Sequence, residues 1–372
     1  MRIVAAMSGG VDSSVVAGLL VEQGHEVIGV HMKLHDAPQR IAGPADPKRC
    51  CGLDDALDAR AVADKLGIPF YVMDLREAFQ KAVIDDYTNN WVRGATPNPC
   101  VQCNGVLKFR VLLQRARALG AEALATGHYA RLSEDGALLQ AVDPDKDQTY
   151  FLFPMTEAAR RATRFPLGDM TKAEVRQHAR RMGLVTAEKP ESQETCFIPD
   201  DDHAGFVAAQ RPELDGAGAI VDEQGRVLGQ HDGYWRFTVG QRRGLGVATG
   251  SPVYVLSVDP STRQVVVGPM ERLMHQALLA RGFEWHRAVL PEERLEARIR
   301  HRGGRVPIEA VWTAPATAPG EGSPTGSPEG TWMRFSAPAK AAARGQAVVV
   351  YSGDEVVGGG WIREVRDATA EQ

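Results

Sequence analysis

Short apolar runs alternate with helical patterns in the first third of the chain. Residues 2–7 (RIVAAM) predict a buried strand, residues 13–23 a helix that ends at Gly24, and residues 26–32 a second strand. The alternation continues with a helix at 53–66, a strand at 69–75, a helix at 107–119 and a strand at 123–126. Strand, helix and strand at this spacing predict βαβ units and a parallel sheet.

From about Gly218 the pattern changes to brief β-rich stretches separated by turn residues. Examples lie at 252–258, 263–267, 347–351 and 355–357. We therefore expect an α/β fold in which a parallel-sheet domain is followed by two smaller β-rich domains, the last a β-barrel. The predicted bounds of the three domains are 1–203, 204–272 and 273–372.

Residues 313–330 interrupt the last of these domains. They are rich in Gly, Pro and Ser and carry too little apolar surface to fold alone. We expect a flexible insert within the barrel, with an interdomain linker as the alternative.

Composition limits the class of protein. The chain has 372 residues, of which 44% are hydrophobic and 24% charged, and these values exclude a disordered or fibrous chain. It contains no apolar run of membrane-spanning length and no signal-peptide pattern, so we expect a cytoplasmic protein that does not associate with membranes. The formal net charge of −4 does not exclude nucleic acid, because a local basic face is sufficient for binding.

The five cysteines indicate a metal-binding or catalytic role. Cys100 and Cys103 form a Cys-x-x-Cys motif, and Cys196 follows much later in the chain. The motif alone has three interpretations: half of a zinc site, a redox pair, or a nucleophile with a neighbouring thiol. Adjacent cysteines rarely chelate one ion together, so Cys50 and Cys51 are interpreted as buried structural thiols.

Residues 8–14 (SGGVDSS) follow the first predicted strand and open the first helix. Two glycines permit tight turns, and free N–H groups at a helix start attract anionic oxygens. Ser8, Ser13 and Ser14 can add hydroxyl donors, and Asp12 can cap the helix or hold Mg²⁺. The segment lacks the Gly-Lys-Ser/Thr of a Walker A loop and the third glycine of a dinucleotide fingerprint.

This loop resembles the pyrophosphate (PP) loop of the N-type ATP pyrophosphatases. Together with further segments it resembles the tRNA-specific 2-thiouridylases over almost the full length. The segments that carry this resemblance are 96–104 (TPNPCVQCN), 125–130 (ATGHYA), 146–152 (KDQTYFL), 165–168 (FPLG), 191–199 (ESQETCFIP), 238–246 (TVGQRRGLG) and 358–360 (GGG).

The resemblance implies roles for individual residues. Cys196 would carry a persulfide, and Cys103 would be the partner nucleophile that forms a transient disulfide with it. The residues implied in ATP binding are Ala6, Met7, Ser8, Gly9, Gly10, Val11, Asp12, Ser13, Met32 and Gly127. The target base would meet Asn98, Pro99 and Cys100, and tRNA would meet His128, Lys146, Asp147 and Gln148.

Basic and polar groups in the β-rich part are expected to add to the tRNA surface, among them Arg300, His301 and Gln346. One position departs from the family pattern. Where many bacterial members have Asp after Asn-Pro, this chain has Cys100, and no carboxylate is available there for acid–base chemistry.

The expected activity is ATP-dependent 2-thiolation of the wobble uridine of tRNA by a monomer. It requires Mg²⁺ with ATP and a sulfur-donor protein, either a cysteine desulfurase or a sulfur-relay protein. Two alternatives remain at this point. One replaces the persulfide by an iron–sulfur cluster on Cys100, Cys103 and Cys196, and the other is a tRNA-binding protein with a vestigial nucleotide pocket.

Overall fold

A computed structural model describes residues 1–36, 53–191, 195–198, 201–315 and 329–367. The α-helices in these ranges are α1 Val11–Glu22, α2 Leu53–Leu66, α3 Arg76–Phe79, α4 Asp85–Val92, α5 Pro99–Gln102, α6 Leu113–Ala118, α7 Glu157–Arg161, α8 Lys172–Arg181 and α9 His203–Gln210. The strands are β1 Arg2–Ala6, β2 Glu26–Lys33, β3 Phe70–Asp74, β4 Ala123–Ala125, β5 Ala130–Leu132, β6 Leu138–Gln140, β7 Thr163–Arg164, β8 Gly218–Asp222, β9 Val227–His231, β10 Tyr254–Asp259, β11 Gln264–Gly268, β12 Met274–Trp285, β13 Leu295–Arg298, β14 Val306–Pro315, β15 Glu329–Lys340, β16 Ala347–Ser352 and β17 Glu355–Arg366.

The chain divides into two compact units. The first comprises Met1–Ile84, Pro99–Asp201 and Asp354–Val356, and the second comprises the remainder. Asp85–Asn98 therefore belongs with the later part of the chain. Within the second unit, Tyr87 of α4 hydrogen-bonds His203 of α9 and packs edge-on against Phe206.

The first unit is built on a five-stranded parallel sheet of order β3-β2-β1-β4-β7. The chain runs outward from β1 to β2 and β3, and then returns to place β4 on the other side of β1. In open α/β sheets, ligands bind beyond the carboxyl ends of the strands at such a switch point. The predicted parallel sheet is confirmed, and the loop at 7–10 lies at this end of β1.

Helix α1 is buried from Val11 to Leu20 except at Asp12, and beyond its first turn it is apolar on all sides up to Leu20. Gly18 permits close packing, because a Cβ at this position would lie 2.5 Å from the Met182 sulfur. The helix ends where predicted, before Gly24, whose φ is +76°. Burial of both faces fixes the N-terminus of α1 over the sheet edge.

Two stretches of the first unit are π-helical, Gln80–Ile84 and Cys103–Leu112. The second begins at one cysteine of the Cys-x-x-Cys motif and continues into α6. In a π-helix the hydrogen bonds join residue i to i+5, which makes each turn wider than an α-helical turn. The predicted helix at 107–119 is therefore part of a longer helical segment of mixed geometry.

The second unit contains a four-stranded sheet of order β10-β11-β8-β9 and the predicted β-barrel. Strands β12-β15-β14-β13-β16-β17 follow one another around the barrel, and a β12–β17 pairing closes it. Strands β14 and β15 pair with each other, so the predicted insert connects two neighbouring barrel strands. Most of that insert, residues 316–328, lies outside the described residues, as do Cys50 and Cys51.

None of the helices in the described ranges has the length and apolar character that crossing a membrane requires.

Candidate active site

The loop after β1 presents its backbone to the sheet edge. Met7 N–H donates to the Val30 carbonyl oxygen (2.8 Å), which ties the loop to β2. Ser8 N–H donates to Ser13 Oγ at 3.1 Å and closes the loop. Gly10 is the N-cap of α1, and no side chain caps it, so the first N–H groups of this 12-residue helix point toward the loop. This geometry suits a phosphate group.

Gly9 is required by this conformation. Its φ is +82°, and a Cβ at this position would lie 2.2 Å from the Asp55 carbonyl oxygen. The positive φ and the close approach of the Asp55 backbone both exclude a side chain at this position. The Ser14 hydroxyl, expected to face an anion, instead donates to the Gly10 carbonyl oxygen at 2.8 Å and is fully buried.

One cavity of ≈ 340 Å³ in the first unit brings together most of the predicted catalytic and ATP-binding residues. Its lining includes the predicted residues Ala6, Met7, Ser8, Asp12, Ser13, Met32, Pro99, Cys100, Cys103, Gly127, His128, Gln148 and Cys196. Gly10 and Val11 line a neighbouring cavity of ≈ 210 Å³, together with Lys146. Asn98, assigned to the target base, belongs to the second unit.

The thiols in the larger cavity differ in their surroundings. Burial raises the pKa of Cys103 to about 12, and the nearby Lys108 opposes that effect. Burial likewise raises the pKa of Cys100 to about 11, although part of its side chain is accessible. Because the thiolate is the nucleophile, burial by itself disfavours the reactive form of both residues.

His128, assigned to tRNA from the sequence, forms a polar pair with Lys108, which the sequence did not single out. Lys108 Nζ lies 3.2 Å from His128 Nε2, and His128 Nδ1 lies 2.6 Å from Thr126 Oγ1. Burial, followed by the charge of Lys108, lowers the pKa of His128 well below its ordinary value, so this imidazole is neutral. Its Nε2 therefore accepts from the ammonium, and its Nδ1–H donates to Thr126.

Ion pairs surround the smaller cavity. Lys172 Nζ lies 2.7 Å from Asp12 Oδ1 and 2.9 Å from Glu191 Oε1, and Lys146 Nζ lies 2.7 Å from Glu191 Oε2. Asp12 also accepts from Tyr129 Oη at 2.8 Å. Asp12 is thus held by a lysine and a tyrosine and does not cap the helix.

A third lysine links the stretch after α8 to the phosphate loop and to α2. Lys189 Nζ donates to the Gly9 carbonyl oxygen (3.0 Å) and to carboxylate oxygens of Asp55 (2.6 Å) and Asp58 (2.5 Å). Sequence reasoning missed Lys172 and Lys189. Their partners are far away in sequence, so no local spacing could have revealed the contacts.

Two of the residues assigned to tRNA already make hydrogen bonds within the protein. Asp147 is buried and accepts from the Thr149 hydroxyl and the Ala141 N–H. Gln148 Oε1 accepts from the Tyr129 N–H at 3.0 Å. His128 likewise lies inside the larger cavity, which leaves Lys146 as a surface cation paired with Glu191.

The tRNA candidates of the second unit also make protein contacts. Gln346 Nε2 donates to the Thr96 and Pro97 carbonyl oxygens at 3.1 and 3.2 Å, and thereby holds the segment that leads to Asn98. Arg300 donates to the Lys340 and Ala341 carbonyl oxygens. His301 follows β13 in the adjoining turn.

The donor set does not fit an iron–sulfur cluster. Over the part of the chain that the structure describes, which includes Cys100, Cys103 and Cys196, no three His, Cys, Asp or Glu residues are grouped so as to hold a metal ion.

His35, which the sequence did not single out, interacts with Cys196. Hydrogen bonding with the Cys196 side chain raises the pKa of His35 above its ordinary value, against the effect of burial. The ring also packs against Phe79, which contacts Phe197 edge-on. A protonated imidazole beside a thiol favours the thiolate.

Replacing His35 by Gln should therefore slow the alkylation of Cys196 by iodoacetamide severalfold at neutral pH. Peptide mass spectrometry measures the rate for each cysteine separately, so Cys103 in the same sample is the internal control. Equal Cys196 rates in the variant and the wild type would show that His35 does not activate this thiol.

Three family models match consecutive parts of the chain. Their descriptions read tRNA methyl transferase HUP domain for residues 1–200, tRNA methyl transferase PRC-barrel domain for residues 204–269, and Aminomethyltransferase beta-barrel domain for residues 275–362. Together they account for the parallel-sheet part and both β-rich parts.

Curated proteins named tRNA-specific 2-thiouridylase MnmA match nearly the full length. The protein from Geobacter metallireducens is 51% identical over 369 residues, which cover 97% of this chain and 96% of that protein. The protein from Geotalea uraniireducens is 48% identical over 368 residues, covering 97% and 94%. Identity at this level over whole chains defines a family.

Solved structures are more distant. A 4-thiouridine synthetase–RNA complex with bound ATP is 17% identical with a TM-score of 0.36, covering 57% of this chain and 50% of that chain. NMN synthetase from Francisella tularensis is 16% identical with a TM-score of 0.33, covering 57% and 76%. Both scores are low, so the full-length relatives carry the assignment.

Proposed function

The chain belongs to the tRNA-specific 2-thiouridylase family and is thus a tRNA sulfurtransferase that forms 2-thiouridine; from this premise we propose that it acts on the wobble uridine through an adenylated base and a cysteine persulfide. One observation carries the proposal. A single cavity is lined both by the ATP-loop residues Ser8 and Ser13 and by the cysteines Cys100, Cys103 and Cys196.

ATP activates the base. The C2 carbonyl carbon of uracil is a poor electrophile, and its oxygen is a poor leaving group. Attack of that oxygen on the α-phosphorus of ATP releases pyrophosphate and makes the oxygen part of AMP, which leaves readily. Backbone N–H groups at the start of α1 and the Ser13 hydroxyl support the phosphates, and Gly127, packed against Asp12 and Ser13, leaves room for the nucleotide.

Sulfur then enters from Cys196. The terminal sulfur of a Cys196 persulfide attacks C2 and expels AMP, which leaves a Cys196–S–S–C2 adduct. The Cys103 thiolate attacks Cys196 Sγ and breaks the S–S bond, and the electron pair remains on the sulfur bound to C2. The products are 2-thiouridine and a Cys103–Cys196 disulfide. A two-electron reductant must restore both thiols before the next turnover.

The base must leave its loop to react. Enzymes that react at a base edge commonly turn the nucleotide out into a pocket, and the anticodon loop is single-stranded RNA in which this costs little. Asn98, Pro99 and Cys100 are proposed to contact the base. Lys146 on one unit, and Arg300 and His301 on the other, are proposed to contact the phosphates.

Mg²⁺ is proposed to enter with ATP, because the described residues offer no metal site of their own. When bound, it would neutralise phosphate charge, and Asp12 is the carboxylate in the cavity that could approach it. A persulfide-carrying donor protein is required by the chemistry. The donor protein and the monomeric state remain predictions.

Nucleoside analysis tests the function. Cells that lack this protein should lose 2-thiouridine derivatives from their tRNA, and a plasmid copy should restore them. A copy carrying Cys196→Ser is the matched control and should not restore them. Unchanged 2-thiouridine in the deletion strain would overturn the assignment.

A further inference from the structure

Lys108 is the only lysine or arginine among the described residues that line the larger cavity. The cavity also contains two histidines, His31 and His128. Burial, the largest effect, lowers the pKa of both residues, so neither supplies positive charge at neutral pH. The chemistry proposed above needs an anionic sulfur in this cavity, and one ammonium group faces it.

The π-helix Cys103–Leu112 explains why this ammonium lies near the sulfur. In an α-helix, residues five apart point in directions about 140° different, because each residue turns the chain by about 100°. In a π-helix the fifth residue closes the turn and lies above the first. Lys108 is the fifth residue after Cys103, so the wide turn brings both side chains to the same face.

The charge of Lys108 is held in place without being neutralised. Its hydrogen-bond partner is the neutral imidazole of His128, at 3.2 Å. Among the described lining residues the one carboxylate is Asp12, and Lys172 already pairs with it. The neighbouring residue of the motif, Cys100, is a thiol, so it adds no carboxylate that could compete for the ammonium beside Cys103.

An isolated buried thiol would be a poor nucleophile. Burial has the largest effect on the pKa of Cys103 and raises it. The charge of Lys108 is the main effect that lowers this pKa. Stabilisation of the thiolate by a nearby ammonium is the ordinary way to activate a cysteine in such surroundings.

We propose that Lys108 is the positive charge that lets Cys103 act as the nucleophile in sulfur release. Cys103 gives its proton to water, and the thiolate forms beside the ammonium. It then attacks Cys196 Sγ, the S–S bond breaks, and the electron pair moves to the sulfur on the base. The proposal rests on the function proposed above and assigns the activation of its second thiol.

The test measures Cys103 directly, without tRNA or ATP. Iodoacetamide labelling of the Cys103 peptide is followed by mass spectrometry from pH 7 to 10 in the full-length protein. Lys108→Gln should shift the profile to higher pH and slow labelling about tenfold at a given pH, since an opposite charge at short range changes a pKa by about one unit or more. Lys108→Arg should restore most of the rate.

Two controls separate this effect from misfolding and from other cations. Lys146→Gln removes a lysine that lines only the neighbouring cavity, and it should leave the Cys103 profile unchanged. If Lys108→Gln does not give the wild-type circular dichroism spectrum, Lys108→Met is measured in its place. Wild-type labelling of Cys103 at every pH in the folded neutral variant would overturn the proposal.

Activity assays distinguish a failure of the role proposed for Lys108 from a failure of the function proposed for the protein. Lys108→Gln should still release AMP on tRNA but should lose thiolation at least tenfold. Loss of AMP release in this variant would place Lys108 in adenylation and overturn the proposal. If the wild type itself neither adenylates nor thiolates tRNA, the proposed function fails, whereas the labelling profile still tests the charge on Cys103.

Discussion

Replacing Cys196 by Ser should abolish sulfur transfer to tRNA while ATP-dependent adenylation of tRNA, with release of pyrophosphate, continues. The hydroxyl of serine cannot carry a persulfide, yet the phosphate loop is untouched. The expected loss of 2-thiouridine is complete within detection, about a thousandfold or more by analogy with removal of other catalytic nucleophiles. A pyrophosphate assay and chromatography of the digested nucleosides measure the two activities in one reaction.

Cys103→Ser should fail at a later stage. The enzyme should accumulate persulfide on Cys196 and release no product, because no second thiol cleaves the S–S bond. Cys100→Ser is the matched control three residues away, and it should thiolate tRNA at a rate near that of the wild type. Wild-type thiolation by Cys103→Ser would refute the two-cysteine mechanism. Loss of both bound iron and activity in Cys100→Ser would favour the cluster instead.

Ser13→Ala and Asp12→Ala should each abolish adenylation while tRNA binding persists. Ser13 lines the larger cavity and accepts the Ser8 N–H, so its loss removes a phosphate donor and opens the loop. Asp12 holds Lys172 and Tyr129 beside the same loop. Removal of one such electrostatic element commonly costs about a hundredfold or more in rate. Release of pyrophosphate on tRNA measures the effect.

Ser14→Ala is the control for this experiment. The same side chain is removed at the next residue. Both hydroxyls donate to the Gly10 carbonyl oxygen, but only Ser13 lines the cavity. Its effect should be limited to stability. Equal adenylation by Ser13→Ala and Ser14→Ala would contradict the assignment of the loop, as would unchanged adenylation in Asp12→Ala.

The elements of the first unit that follow simple periodicity could be predicted closely. Helix α2 spans the residues expected from the sequence, and β1 and β2 differ from expectation by one residue at their ends. The pattern of buried strands and amphipathic helices contains this information locally. The long barrel strands β12, β14 and β15 were not individually predicted. Their partners across the barrel, rather than their own residue patterns, define their lengths.

Site residues that lie together in one sequence segment could be predicted, whereas contacts between residues distant in sequence could not. The phosphate loop and the cysteine segments are recognisable motifs, and the structure brings them to one cavity. The roles of Lys172 and Lys189 depend on partners more than a hundred residues away. Lys108 was missed for a different reason. A helical wheel with α-helical spacing turns it away from Cys103, and the π-helical turn has no periodicity signal.

The π-helical turn also determines how this segment can change in length. Loss of one residue from an α-helix rotates everything beyond it by about 100° and usually ruins the buried face. In Cys103–Leu112 the extra residue is stored as a widened turn. Deleting one residue between Cys103 and Lys108 would return the backbone to α-helical spacing, where the fourth residue lies on the same face as the first. This stretch can therefore lose a residue by changing helix type and still keep its lysine and its cysteine on one face.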